Sequence, residues 1–275
     1  MTLYLQSDIE AGAPGMKAWQ IEAGRALLDR LRPPSGFPCV FSQAACRRGR
    51  ILFAFARGTD PVSLDMAADD LLAYLARARD WDGDVATAEP LVMLFDPATV
   101  IGEHVEDYHA HGWRALQYWH DVDPGHWPDS VSRDPESPFW TMCFGGTQIF
   151  VNMSNPAHVV RRSRNLGPAF TMVINPRERF DRVAGDTVPG RLMRARIRSR
   201  VEAYDDLPHS PLLGSYEAGE IEWWQYGLKE TNDLPAGGCP LHMRVDEAAE
   251  YACRARAKWF PGGPGSAGRC VLQYT

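Results

Sequence analysis

Residues 140–175, WTMCFGGTQIFVNMSNPAHVVRRSRNLGPAFTMVIN, decide the fold class. They hold three strand-like runs, Trp140–Phe144, Gln148–Met153 and Phe170–Ile174, each short and rich in residues that suit a pleated, half-buried surface. A parallel pair needs a crossover connection of a dozen or more residues, and the first two runs lie too close together for one. They predict antiparallel neighbours.

Working outward, Leu91–Phe95 reads as a buried strand closed by Asp96-Pro97, and Ile51–Phe55 as another. Residues 16–32 keep helical spacing through Ala18, Ile21, Leu27, Leu28 and Leu31, and Pro33-Pro34-Ser35-Gly36 ends them. Residues 63–80 predict a helix capped by Ser63, and 103–120 a helix carrying His104, His109, His111 and His120. Residues 190–204 predict an amphipathic helix with Met193, Ile197 and Val201 as its apolar stripe. About five strands and five helices that do not alternate strictly indicate an α+β domain, with a mixed, largely antiparallel sheet and packed helices. That single domain is expected over 1–240. Residues 241–275, which include the glycine-rich run 261–268, read as a partly flexible C-terminal extension.

The chain has 275 residues, 45% of them hydrophobic and nine of them Trp, enough to bury a sizeable core. A net charge of −6 favours neither nucleic acid nor an anionic membrane as partner. No run approaches the ~20 apolar residues of a membrane-spanning helix, and the N-terminus does not read as a leader. The six cysteines, Cys39, Cys46, Cys143, Cys239, Cys253 and Cys270, are scattered without a C-x-x-C pair. They read as reduced thiols, and the expectation is a cytoplasmic protein. There is no phosphate-binding loop, no dinucleotide fingerprint and no G-x-S-x-G elbow.

Chemistry concentrates in Ser154–Gly167. Asn155 suits an N-cap, Pro156 a first helical position and Gly167 a stop, so a short helix is expected. His158 would stand in its first turn, where the helix dipole favours the neutral, metal-binding imidazole. Arg161 and Arg162 would follow on the same face, ready to clamp carboxylates. One imidazole beside several guanidiniums suits haem with its propionates, or another anionic ligand; the plain alternative is a capped helix with surface arginines. A second constellation, His120-Asp121-Val122-Asp123, is either a metal or acid–base site or the polar end of a helix. His104, His109 and His111 lack metal-binding helical spacing and read as a solvated face. Cys239-Pro240 offers either a thiolate or a buried, unreactive thiol. The arginine run 191–200 reads as a solvated helix face.

Taken together, Phe37-Pro38-Cys39, His120-Asp121-x-Asp123 with Trp127-Pro128, Phe144-Gly145-Gly146, Asn155-Pro156-Ala157-His158-x-x-Arg161-Arg162-Ser163-Arg164, Gln225-Tyr226 and Cys239-Pro240 resemble the YqcI/YcgG family over roughly residues 36–240. That family includes haem-dependent N-oxygenases, among them N-hydroxy-L-arginine synthases of antibiotic (D-cycloserine) biosynthesis. The resemblance implies haem b (iron protoporphyrin), dioxygen as oxidant, and electrons from an external NAD(P)H-dependent reductase or other donor. It also implies hydroxylation of a guanidine nitrogen, with L-arginine as substrate. His158 is the expected proximal iron ligand, with His120 and Cys239 as the other candidates. Arg161, Arg162 and Arg164 are the expected propionate contacts. His120, Asp121 and Asp123 are the expected catalytic group, the two carboxylates receiving the substrate guanidinium. A haem-binding sensor or carrier, and a non-haem metal oxygenase using His120 with Asp121 or Asp123, are the competing readings.

Overall fold

A computed structural model describes residues 3–205, 207–214 and 219–244. Residues up to His242 form one compact unit. The expected extension lies outside the described residues from 245 onward, as do Cys253, Cys270 and the run 261–268.

The frame is a six-stranded mixed sheet in the order β1-β2-β3-β6-β5-β4, formed by β1 (Tyr4–Leu5), β2 (Leu52–Ala56), β3 (Leu91–Phe95), β4 (Cys143–Phe144), β5 (Thr147–Ser154) and β6 (Thr171–Pro176). Only β2 and β3 are parallel, and α4 (Pro61–Ala78) makes the crossover between them. All the other pairs are antiparallel, as the closely spaced runs of the central stretch require. The structure has more elements than periodicity predicts. The two-residue edge strand β1 and the short helices α1 (Gln6–Ala11), α3 (Val40–Arg47) and α6 (Glu178–Ala184) are too brief to show a period. The longer helices α2 (Ala18–Leu31), α5 (Val105–Val122) and α7 (Val188–Asp205) lie within two residues of expectation. α4 starts earlier than expected. Asp60, not Ser63, is its N-cap, accepting the Ser63 N–H at 3.1 Å with Pro61 at the first helical position.

β3 is buried along its whole length because helices cover both faces. On one face Phe53, Val92 and Leu94 pack with Leu27, Leu28 and Leu31 of α2 and Ala45 and Cys46 of α3. On the other, α5 lies against the sheet through Gly112, where an added Cβ would meet Met153 Sδ at 2.5 Å and Phe170 at 3.1 Å. Tyr108 stacks on Phe170 at 6.1 Å, and the Trp119 indole donates to the Leu64 carbonyl at 3.2 Å, joining α5 to α4. Gly145 and Gly146 close the β4–β5 hairpin with φ of 57° and 70°, the positive values that a two-residue turn matching strand twist demands. Among the described residues no helix is long and apolar enough to cross a membrane.

Asp123 locks this hairpin to α5. It ends the helix, and its Oδ1 accepts the N–H groups of Gly125 and Gly145, both at 2.8 Å. Replacing Asp123 with Ala is expected to cost about 3 kcal/mol, since hydrogen bonds to an ionised group contribute more than neutral ones. A urea melt checks this; an unchanged midpoint would contradict the anchoring role.

Candidate functional site

At the end of β5 the chain does not form the expected helix. The Asn155 side chain accepts the Ala157 N–H at 3.1 Å, and regular structure returns only as a 3-10 turn over Arg162–Arg164. The cause is Glu230, seventy residues downstream. Its carboxylate accepts the N–H groups of Val159 (3.1 Å), Val160 (2.7 Å) and Arg161 (3.2 Å) and meets His158 Nδ1 at 2.6 Å. These amides converge on an anion and not on carbonyls four residues back, so no α-helical ladder starts. His158 is nonetheless neutral, for a different reason than a helix dipole. Burial lowers its pKa to about 4, although Glu230 pulls the other way. Its Nε2 is buried without a partner. The His109 ring lies 6.2 Å away, its Nε2 is likewise unpartnered, and burial lowers its pKa to about 3. His109 is therefore a core residue on the inner face of α5, not part of a solvated stripe; His104 is exposed and His111 bonds Thr59 Oγ1 at 2.8 Å.

Of the three arginines that follow, two point inward. Arg161 is 1% exposed; its Nε donates to the Lys229 carbonyl (2.6 Å) and its Nη2 to Thr231 O (3.1 Å) and Asn232 Oδ1 (2.9 Å), while Nη1 has no partner. Arg164 donates to the carbonyls of Tyr226 (3.2 Å) and Gln225 (3.0 Å), and burial lowers its pKa to about 9. Arg162 is exposed and sits over the Tyr204 ring at 5.3 Å.

Arg161 and Arg164 line a cavity of about 390 Å³, within the size range of small-molecule and cofactor sites. Strand alternation builds its floor. Phe150, Asn152 and Ser154 of β5 face it, while Ile149, Val151 and Met153 are fully buried on the opposite side. Its walls come from α2, from Phe37–Ala45, and from α6 and α7, through Phe180, Ile197 and Val201. α7 is thus not simply a solvated helix: Arg194 and Arg198 line the cavity, and Arg200 donates to the carbonyls of Phe37 (2.8 Å) and Pro38 (2.9 Å). Two further ionisable groups line it. Glu222, 1% exposed, accepts from Arg177 Nη1 (2.7 Å), the Tyr226 hydroxyl (2.8 Å) and the Thr141 hydroxyl. Burial raises its pKa to about 7 against the pull of Arg177. Arg179 donates from Nη1 to Glu89 O (2.6 Å) and Tyr74 Oη (3.0 Å), and its Nε is buried without a partner.

His120, Asp121 and Asp123 end α5, and none lines the cavity. His120 is buried edge-on to Trp127 at 5.5 Å, exposed Asp121 accepts the Gln117 amide at 2.8 Å, and Asp123 holds the hairpin. Spacing along a helix end told nothing about which sheet face it covers. His158 and Cys239 are also outside the cavity lining, and burial raises the Cys239 thiol pKa to about 12. Among the described residues no three His, Cys, Asp or Glu side chains are grouped to hold a metal ion. Sequence reading missed Glu222 and Glu230, single acids in loop segments with no pattern around them; their neighbourhood to Gln225-Tyr226 was the one available signal.

A family model described as YqcI/YcgG matches residues 27–242, most of the chain. The chain belongs to the YqcI/YcgG family. Among relatives, a Streptomyces lavendulae protein named "Putative N(omega)-hydroxy-L-arginine synthase DcsA" is 48% identical over 229 residues, covering 83% of this chain and 86% of its own. The Bacillus subtilis (strain 168) proteins YcgG and YqcI are 34% and 31% identical, each over 87% of this chain and 94% of their own. No solved structure matches significantly. The YqcI/YcgG match spans every element that builds the cavity, from Leu27 of α2 to Leu228.

The buried histidines set an acid sensitivity. With folded values of about 4 and about 3 against an ordinary 6.5, His158 and His109 refuse protons that the unfolded chain accepts. Their contribution is complete above about pH 6.5 and is lost as pH falls toward 4 and then 3. Glu222 acts oppositely: its raised value keeps a proton in the folded state, so its contribution is present below 4.5 and fades as pH rises through 7. His109→Leu separates the two. Its urea midpoint is expected to match or exceed the native value at neutral pH, because an unpartnered buried nitrogen is removed, and to decline less between about pH 6.5 and 4. Parallel pH profiles would contradict this reading.

Proposed function

We propose that this protein is a haem-dependent monooxygenase that hydroxylates a guanidine nitrogen of L-arginine, with its centre in the cavity beneath α3, α6 and α7. The observation that carries the reading is the cavity's chemistry. Its wall is apolar, and Arg161 Nη1 and Arg179 Nε are orphaned guanidinium nitrogens in residues 1% and 7% exposed. A buried donor without a partner costs free energy unless a ligand supplies an acceptor. A broad apolar ring bearing two carboxylates fits such a lining, so the residues present suit haem b. Arg161 would take a propionate, and Arg164 would back that wall. The name of the Streptomyces lavendulae relative supports arginine as the substrate.

When bound, haem supplies the dioxygen activation that oxidation of a weakly nucleophilic guanidinium requires. The balance is simple: one N–H becomes N–OH, the second oxygen atom leaves as water, and two electrons and two protons come from outside. The electrons come from an external NAD(P)H-dependent reductase or equivalent donor. This chain supplies orientation and protons. Glu222 and Asp181, both cavity-lining carboxylates paired with Arg177, are the groups to receive the substrate guanidinium, in place of Asp121 and Asp123. Glu222, with a pKa near neutrality and the Thr141 and Tyr226 hydroxyls both donating to its Oε1, is also placed to hand on a proton.

Haem-loaded protein given L-arginine, oxygen and an NADPH-driven electron donor is expected to yield hydroxyarginine by mass spectrometry. Glu222→Gln is expected to reduce kcat/KM roughly 100-fold or more, in the range for loss of a general acid–base group. Stable haem binding with no product from any of several donors would favour a sensor or carrier.

A further inference from the structure

Tyr226 stands where two files of tryptophans meet, and its hydroxyl touches a group that lines the cavity. The residue is fully buried; its phenol donates to Glu222 Oε1 at 2.8 Å and accepts the Met142 N–H at 3.1 Å. Glu222 lines the cavity, and so does Phe150, whose ring meets Tyr226 edge-on at 5.5 Å. On one side Tyr226 stacks on Trp113 of α5 at 6.0 Å, Trp113 meets Trp223 at 6.0 Å, and Trp223 meets Trp224 at 6.3 Å. A second file runs from Tyr226 to Trp140 at 6.2 Å and on to Trp127 at 6.4 Å. None of these tryptophans lines the cavity. Trp140 and Trp223 are buried, whereas Trp127 and Trp224 are half-buried, so both files lead from the cavity wall to solvent. Packing alone would explain an aromatic cluster. It does not explain why the one phenol at the junction is held against a buried carboxylate.

Tyrosine and tryptophan are the aromatic side chains that one-electron oxidants attack, and rings in contact pass an electron vacancy from one to the next. Losing an electron makes a phenol strongly acidic, so a proton acceptor must already be in place, and the Glu222 carboxylate is. Burial, with Glu222 beside it, holds the phenol pKa well above its ordinary value, so this proton leaves only with the electron. The Trp140 and Trp223 indole N–H groups have no acceptor, so those rings keep their protons and only relay the vacancy. Resting on the reading that this cavity holds haem, we propose that Tyr226 is a redox-active residue. With the two tryptophan files it carries oxidising equivalents out of the cavity when no substrate consumes them. Haem oxidised by hydrogen peroxide takes one electron from Tyr226, whose phenolic proton passes to Glu222. An electron from Trp140 or Trp113 refills the ring, the proton returns, and the vacancy moves to Trp127 or Trp224. There a thiol or ascorbate in solution fills it. Two such electrons, with two protons from the reductant, return the haem to its resting state and reduce the peroxide's second oxygen to water. A substrate guanidinium on Glu222 weakens it as a proton acceptor, which closes the relay when arginine is bound.

In the test, the full chain loaded with haem is mixed with hydrogen peroxide and frozen for electron paramagnetic resonance. A tyrosyl signal is expected, narrowed when the protein carries ring-deuterated tyrosine and several-fold weaker when L-arginine is present. Tyr226→Phe keeps the ring and is expected to lose the signal. High-field spectra of the native protein need no variant, and are expected to show the lowered g value of a hydrogen-bonded phenoxyl. The haem-free chain gives a second arm: a soluble ruthenium photo-oxidant, acting from the surface, is expected to produce the same signal in the native protein and not in Tyr226→Phe. A full-sized tyrosyl signal in Tyr226→Phe, an unbonded g value, or no protein radical in either arm would overturn the relay. Failure to take up haem, with the photochemical signal intact, would overturn the proposed function while supporting Tyr226 as the redox-active residue.

Discussion

The Glu230 carboxylate is the constraint on which the site's architecture depends. It gathers one imidazole and three consecutive backbone N–H groups from a segment about seventy residues earlier. Bonds to an ionised acceptor contribute on the order of 1.5–3 kcal/mol each, more than a first helical turn returns for its entropic cost. The segment after β5 is consequently held as an anion-binding loop. Arg161, at the end of that loop, is delivered to the cavity wall with its side chain fixed by Lys229, Thr231 and Asn232, the immediate neighbours of Glu230. One interaction thus determines where the backbone turns and where a guanidinium is left with a nitrogen to spare.

The sheet divides the protein's tasks between its faces. Under α4 and α5 it is closed and apolar, and Gly112 allows α5 to approach Met153 and Phe170 closely. On the other face, α2 and α3 cover the β2–β3 end, and the strands continue under α6 and α7 with a cavity between. β5 serves both faces by simple alternation, with Phe150, Asn152 and Ser154 toward the cavity and Ile149, Val151 and Met153 toward the core. A histidine or carboxylate on α5 therefore lies across the sheet from this cavity.

This division explains what the sequence alone could reveal. Short strand-like runs marked β2, β3, β5 and β6, period-3.6 patterns marked the four long helices, and the close succession of the central runs gave the antiparallel pairing. α3 and α6 escaped because one or two turns carry no measurable period. Arg161 and Arg164 were legible as candidates because they cluster locally. Glu222 and Glu230 were not, since their partners, Thr141, Arg177, His158 and Arg161, are distant in sequence. His109 looked solvated until packing placed it beside His158.

The most direct measurement is an anomalous difference map at the iron edge from crystals of the haem-loaded protein. The account predicts a single iron peak inside the cavity bounded by Phe150 and Asn152 of β5, Phe37–Ala45, and Ile197 of α7. A peak beside His158 and His109, or at the His120–Asp123 end of α5, would contradict it.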